Sequence, residues 1–158
     1  MKEVAGALYV GGAEGADFAE AMDGAAVLRL CDEEQFADVL RDRGMSEAQL
    51  DVIDEPMALY MKLENASTPG VYSVERFREA VRFISAHRAG GAGVVVYGKN
   101  GKSRAPSIAM LYLVAQGDIP GSTFAEATDA FKAERYEDYD PSFGLARFLS
   151  ERWSEILE

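Results

Sequence analysis

The sequence predicts an α/β fold of three layers, in which a mainly parallel central sheet is flanked by helices. Four short apolar runs, Ala7–Val10, Ala25–Cys31, Met57–Leu63 and Ala92–Tyr97, are each bounded by Gly, Asp, Glu or Pro, the mark of buried strands. Segments of helical periodicity lie between them, and strands that alternate with helices favour parallel pairing through crossover connections. The 158 residues suit one domain over 1–158, long enough to bury a core without disulfides.

The helices follow in order. Ala16–Met22 and Glu33–Leu40 read as short helices. Ser46 and Gln49 form a capping-box pattern for a helix running to about Ile53. Over Ser73–Ala86, Val74, Phe77, Val81 and Phe83-Ile84 fall on one stripe. Arg104–Gln116 is apolar enough to be a buried helix. Ser122 reads as the cap of a helix to about Arg135, with Phe124, Ala127 and Phe131 facing inward. Pro141–Leu157 carries Phe143, Leu145, Phe148, Leu149 and Trp153, and the last three helices are expected to cover one face of the sheet.

Charge and composition exclude several classes of function. A net charge of -11 opposes nonspecific binding to nucleic acid or to an anionic membrane surface. One cysteine, Cys31, and one histidine, His87, leave no disulfide framework and no Cys/His zinc site within the chain. No metal or other cofactor is implied. Met1-Lys2-Glu3 does not open a signal-peptide pattern, and no apolar run reaches membrane-spanning length, so a cytoplasmic location is expected.

The chemistry concentrates where the valine-rich strand Val94-Val95-Val96 runs into Tyr97-Gly98-Lys99-Asn100-Gly101-Lys102-Ser103-Arg104 and then into an apolar helix. This order puts loop amides and a helix N-terminus at the carboxyl end of a strand, where unpaired N–H groups and the helix dipole favour an anion. Gly98 and Gly101 can take the positive φ angles that turn successive amides toward one centre. Arg104 can offer a planar fork to phosphate oxygens. Lys99 and Lys102 add two cations, and the eight residues contain no acid. Gly98, Lys99, Asn100, Gly101, Lys102, Ser103 and Arg104 are therefore the expected phosphate-binding residues. A plain glycine turn with solvated basic residues is the simpler alternative, and the combination of strand, loop, basic cluster and helix weighs against it.

Two known families carry such a loop. The P-loop NTPase signature fits at Gly101-Lys102-Ser103, but its first glycine falls on Val96. The cysteine-based phosphatases fit more broadly. Their His-Cys-X-X-X-X-X-Arg-Ser/Thr loop resembles Tyr97 to Ala105 in register, with Gly101, Ser103 and Arg104 on matching positions. The flanking sequence resembles the dual-specificity branch: Leu8-Tyr9-Val10-Gly11, Ala25–Cys31 with Asp32-Glu33-Glu34, Phe77 to Ile84 before Gly90-Gly91, Ala105-Pro106-Ser107 with Tyr112-Leu113, and Pro141-Ser142-Phe143-Gly144. The resemblance spans nearly the whole chain and implies a phosphatase-like fold.

The same resemblance implies lost chemistry. The family attacks phosphorus with a thiolate, and Gly98 stands where that cysteine would be. Tyr97 replaces the supporting histidine, and Ala105 the Ser/Thr that assists the leaving thiolate. The aspartate general acid would fall near Ala66 or Ser67, within Glu64-Asn65-Ala66-Ser67-Thr68-Pro69, which holds no aspartate. A Gly-X-X-Gly-X-Ser-Arg loop resembles those of the family's pseudophosphatases and implies binding of a phosphorylated protein, phosphate or another oxyanion without hydrolysis. Other residues have plainer readings: Cys31 as a buried core thiol, His87 as a solvated helix end, Asp32-Glu33-Glu34 as a helix start, and 136–140 as an acidic loop whose Tyr136 and Tyr139 could border the pocket. Two further readings follow from the same residues: an interaction scaffold with a relic loop, and a weak phosphoester or nucleotide enzyme using Lys102 and Arg104.

Overall fold

The computed structural model describes residues 1–46 and 50–158. Its strands are β1 (Lys2–Ala5), β2 (Leu8–Gly11), β3 (Ala26–Cys31), β4 (Val52–Glu55), β5 (Ala58–Lys62) and β6 (Val94–Tyr97). They form one sheet in the order β1-β2-β6-β3-β5-β4. The four central strands are parallel, and β1 and β4 close the two edges as antiparallel partners. The helices are α1 (Gly15–Ala21), α2 (Glu33–Asp42), α3 (Val74–Ala89), α4 (Arg104–Ala115), α5 (Phe124–Glu134) and α6 (Phe143–Leu157).

Side-chain alternation along the central strands sets the layers. Ala26, Leu28 and Leu30 of β3, with Val94 and Val96 of β6, join a large core with Phe77, Ile108, Phe131 and Leu149 from α3 to α6. On the opposite face Cys31 packs with Phe36, Val39 and Leu40 of α2. Val95 and Tyr97 pack there with Ala19 of α1. Three layers result, with four helices on one face and two on the other. The strongly apolar α4 is buried on every side from Arg104 to Leu113, because α3, α5 and α6 all pack around it.

Three local expectations need correction. The helix expected to run to about Ile53 gives way to β4, which pairs antiparallel with β5. The Lys62 N–H also reaches the Asp51 carbonyl at 2.8 Å, and Ile53 buries against the α2 cluster. Gln49, the second half of the supposed capping box, lies outside the described residues. Thr123, not Ser122, caps α5, accepting from the Glu126 N–H at 3.1 Å, while Ser122 is held by the Glu126 carboxylate. The last helix starts at Phe143 with Ser142 as its cap. Among the described residues no helix is long and apolar enough to cross a membrane.

Candidate functional site

The loop after β6 emerges between β2 and β3 at the carboxyl edge of the sheet. Its first half leans on the end of β2. The Gly98 N–H donates to Gly11 O at 3.2 Å, Ala13 N–H donates to Lys99 O at 3.2 Å, and Gly12 bridges Asn100. Gly101 has a φ of 70°, and a Cβ there would stand 2.7 Å from Gly12 N. Only glycine fits so close a backbone approach.

The second half is tied to distant segments. Ser103 is buried; its Oγ donates to Asn65 Oδ1 at 2.7 Å and accepts from the Ser142 N–H at 2.9 Å. The Asp140 N–H donates to Lys102 O at 2.8 Å, and the Tyr136 hydroxyl donates to Gly101 O. Ser107 Oγ donates to Ser103 O at 2.6 Å. A hydroxyl has one proton, so the 2.7 Å contact between Ser107 and Tyr139 is donated by Tyr139. Burial of Tyr139 holds its phenol protonated, with a pKa above the usual value.

Arg104, only 6% exposed, donates from Nη1 to Leu63 O at 2.9 Å. Among the described residues it has no ion pair and no other hydrogen bond. Burial lowers its pKa, against the weaker pull of Asp32, Cys31, Glu64 and Tyr72. The backbone N–H groups of Lys99, Asn100, Lys102, Ser103 and Arg104 likewise have no acceptor among the described residues. A small depression is lined by Asn65 and by residues 98–105. Exposed Lys99 and Lys102 stand at its rim. The loop thus brings together every residue that the sequence marked, with the two lysines on the outside.

Gly98 differs from Gly101. It is buried, its φ is not positive, and a Cβ built on it would sit 3.7 Å from Leu30 O and 3.8 Å from Arg104 Nη2. The site therefore has room for a side chain that the sequence does not supply. Tyr97 turns away from the depression onto the α1 face, where its ring fills the space beside Gly15. Burial raises its pKa, which Arg29 partly opposes.

None of the remaining candidates lines the depression, although Asp32 and Cys31 lie close enough to act on Arg104 electrostatically. Cys31 is fully buried, and burial pushes its thiol up to about 11 against the opposing pull of Arg29 and Arg104. His87 lies in the last turn of α3, its ring 4.4 Å from that of Phe83. Asp32 caps α2 in a complete capping box. Behind the loop, Glu14, Asn100, Lys102, Tyr136, Glu137 and Asp138 border a larger cavity of about 280 Å³. Sequence reading missed the roles of Asn65 and Leu63 O. Ser142 and Tyr136 carried a signal, the first in the Pro141-Ser142-Phe143-Gly144 match and the second as an aromatic in the acidic loop.

This architecture is that of the dual-specificity phosphatases, and solved structures of that class superpose on nearly the whole chain. Human DUSP28 does so at 19% identity and a TM-score of 0.65, over 99% of this chain and 97% of its own. The human tyrosine phosphatase-like serine/threonine/tyrosine-interacting protein does so at 19% identity and a TM-score of 0.64, over 100% of this chain and 98% of its own. DUSP15 matches at 21% identity and a TM-score of 0.62, over 99% and 89%. No protein-family model matches the chain, and no curated protein matches it.

Proposed function

We propose that this protein is a pseudophosphatase, which binds the phosphate of a phosphorylated protein through residues 98–104 and does not hydrolyse it. One observation carries the reading: a nearly buried guanidinium, Arg104, which makes no ion pair among the described residues, beside five loop amides that find no acceptor there. A guanidinium held this way is short of a counter-charge, and a tetrahedral oxyanion in the depression supplies one. Free amides and an Arg fork are the donors that a phosphate needs. The side chains of Lys99 and Lys102 then draw the anion toward the rim of an otherwise acidic protein.

Absence of turnover follows from the residues at the reacting positions. Gly98 offers no nucleophile, Tyr97 points to the opposite face, and Ala105 has no hydroxyl. Asn65, Ala66 and Ser67, in the segment beside the loop, provide no carboxylic acid to protonate a leaving group. The partner is a phosphorylated protein rather than nucleic acid or a lipid surface, because a net charge of -11 repels both.

The test is a titration with inorganic phosphate and with phosphotyrosine, followed by amide NMR. Shifts are expected to concentrate in residues 99–104. Arg104→Ala should weaken binding at least about tenfold, the worth of a charge-assisted hydrogen bond. Equal affinity in that variant would remove the proposal, as would release of phosphate from a phosphoester by the wild-type protein.

A further inference from the structure

The two segments that flank the loop each end in an exposed apolar side chain. Phe143 is 71% exposed and Val71 56%, more than any other large apolar residue among those described. Phe143 opens α6 immediately after Ser142, whose N–H donates to Ser103 Oγ. Val71 closes a short 3-10 turn, Pro69–Val71, in the segment that begins beside Asn65, the other partner of Ser103. Gly144 presses the first turn of α6 against that segment: a Cβ on it would stand 2.5 Å from Thr68 O and 2.6 Å from Ala66 O. The two side chains therefore belong to adjoining segments that one buried hydroxyl ties to the loop.

Neither residue serves the core. A phenylalanine at the first position of a helix, facing water, adds no packing there, and exposed aromatics beside a polar site mark contact surfaces. We infer that Phe143, with Val71, is the specificity element of this site, and that its occupant is an apolar residue next to the phosphorylated residue of a partner protein. The inference rests on the reading of 98–104 as a phosphate cradle. A phosphate group is common to every phosphorylated partner, so selection among partners must come from what lies beside it. Cationic side chains on the loop and exposed apolar ones on the segments tied to it suit a phosphorylated, apolar peptide. The acidic charge of the whole chain disfavours insertion of Phe143 into an anionic bilayer.

Two phosphotyrosine peptides test this by calorimetry, one with leucine on both sides of the phosphotyrosine and one with serine. Wild-type protein should bind the leucine peptide about tenfold tighter, the effect of burying part of one large apolar side chain. Phe143→Ser combined with Val71→Ser should bring the two affinities together and leave the affinity for inorganic phosphate unchanged. Both positions are exposed, so an unchanged melting temperature is expected and checks the fold. Phosphate binding with no leucine preference, or with a preference that survives the double substitution, overturns this inference alone. Failure of both peptides and of inorganic phosphate to bind overturns the cradle reading itself. Phe143-dependent binding to vesicles containing a phosphoinositide, without peptide preference, assigns the apolar side chains to a membrane and overturns the inference.

Discussion

At Gly101 a Cβ would stand 2.7 Å from Gly12 N and 2.8 Å from Gly11 C, on a backbone with φ of 70°; at Gly98, three residues earlier, the nearest atoms are 3.7 and 3.8 Å away. The two glycines of one loop thus exist for different reasons. Gly101 is demanded by geometry, because the loop must fold against the end of β2 to present its amides. Gly98 is demanded by nothing in the backbone, so its missing side chain is a chemical property of the site. The first half is tied to the end of β2, and the second to distant segments, with Ser103 and Lys102 anchored to Asn65, Ser142 and Asp140. A fixed loop geometry and a position without a nucleophilic side chain sit side by side, which is what the proposed reading requires.

Substitutions can break or sharpen this contrast. The largest effect is expected from Gly101→Ala, which adds a left-handed strain of about 1–2 kcal/mol and a backbone clash of similar size. A loss near 3 kcal/mol lowers the melting temperature of a chain this long by about 6–12 °C, measured by circular dichroism. A wild-type melting temperature would dissolve the contrast. Ser103→Ala comes next. It leaves the Ser142 N–H and Asn65 Oδ1 without their shared partner and should cost about 1–2 kcal/mol in urea denaturation. Phosphate affinity should also fall a few-fold, since the loop loses its anchor.

Gly98→Ala is expected to be the mildest, within about 1 kcal/mol of wild type and on the stabilising side, because alanine restricts the unfolded chain more than glycine does. A large destabilisation there would show that Gly98 is structural after all. Gly98→Cys then probes chemistry with little change in fold. The introduced thiol lies beside Arg104 and the start of α4, a setting that favours thiolate. It should be alkylated by iodoacetamide near neutral pH, whereas Cys31, buried and pushed up to about 11, should not react in the native protein. Phosphoester turnover should remain slow, because Ala105 and the acid-free Asn65-Ala66-Ser67 segment are unchanged. Rapid turnover would show that Ala105 and this segment do not limit the chemistry, against the proposed reading.

Cys31 also gives the smallest, pH-dependent signal. Its folded pKa lies above the ordinary value of 9.0, so the fold favours the neutral thiol. That contribution is complete below about pH 9 and is lost as pH rises toward about 11. A chemical-denaturation series should show an alkaline fall in stability that Cys31→Ala flattens over this window.

Much of this was legible in order along the chain. The four parallel strands announced themselves as apolar runs because both of their faces are buried. Among the helices, α3 and α5 were marked by periodicity and α4 by its continuous apolar composition, whereas the caps expected at Ser46 and Ser122 did not hold. The edge strands were hidden for the same reason: β1 buries only Val4, and β4 only Ile53, so neither has a run to detect. The anion-binding candidates were visible because they are contiguous. Their supports were not, since Ser103 meets Asn65 across 38 residues and Ser142 across 39, and no local pattern encodes such pairs.

By itself, then, the sequence determined the layer order, the strand–loop–helix frame, the basic loop and the absence of a thiol at Gly98, because those are properties of residue type and period. Only the tertiary structure decided that Arg104 is buried without an ion pair among the described residues, that Tyr97 faces away from the loop, and that Phe143 and Val71 remain exposed. These depend on which segments meet, and burial, pairing and exposure arise only when the packed chain brings distant residues together.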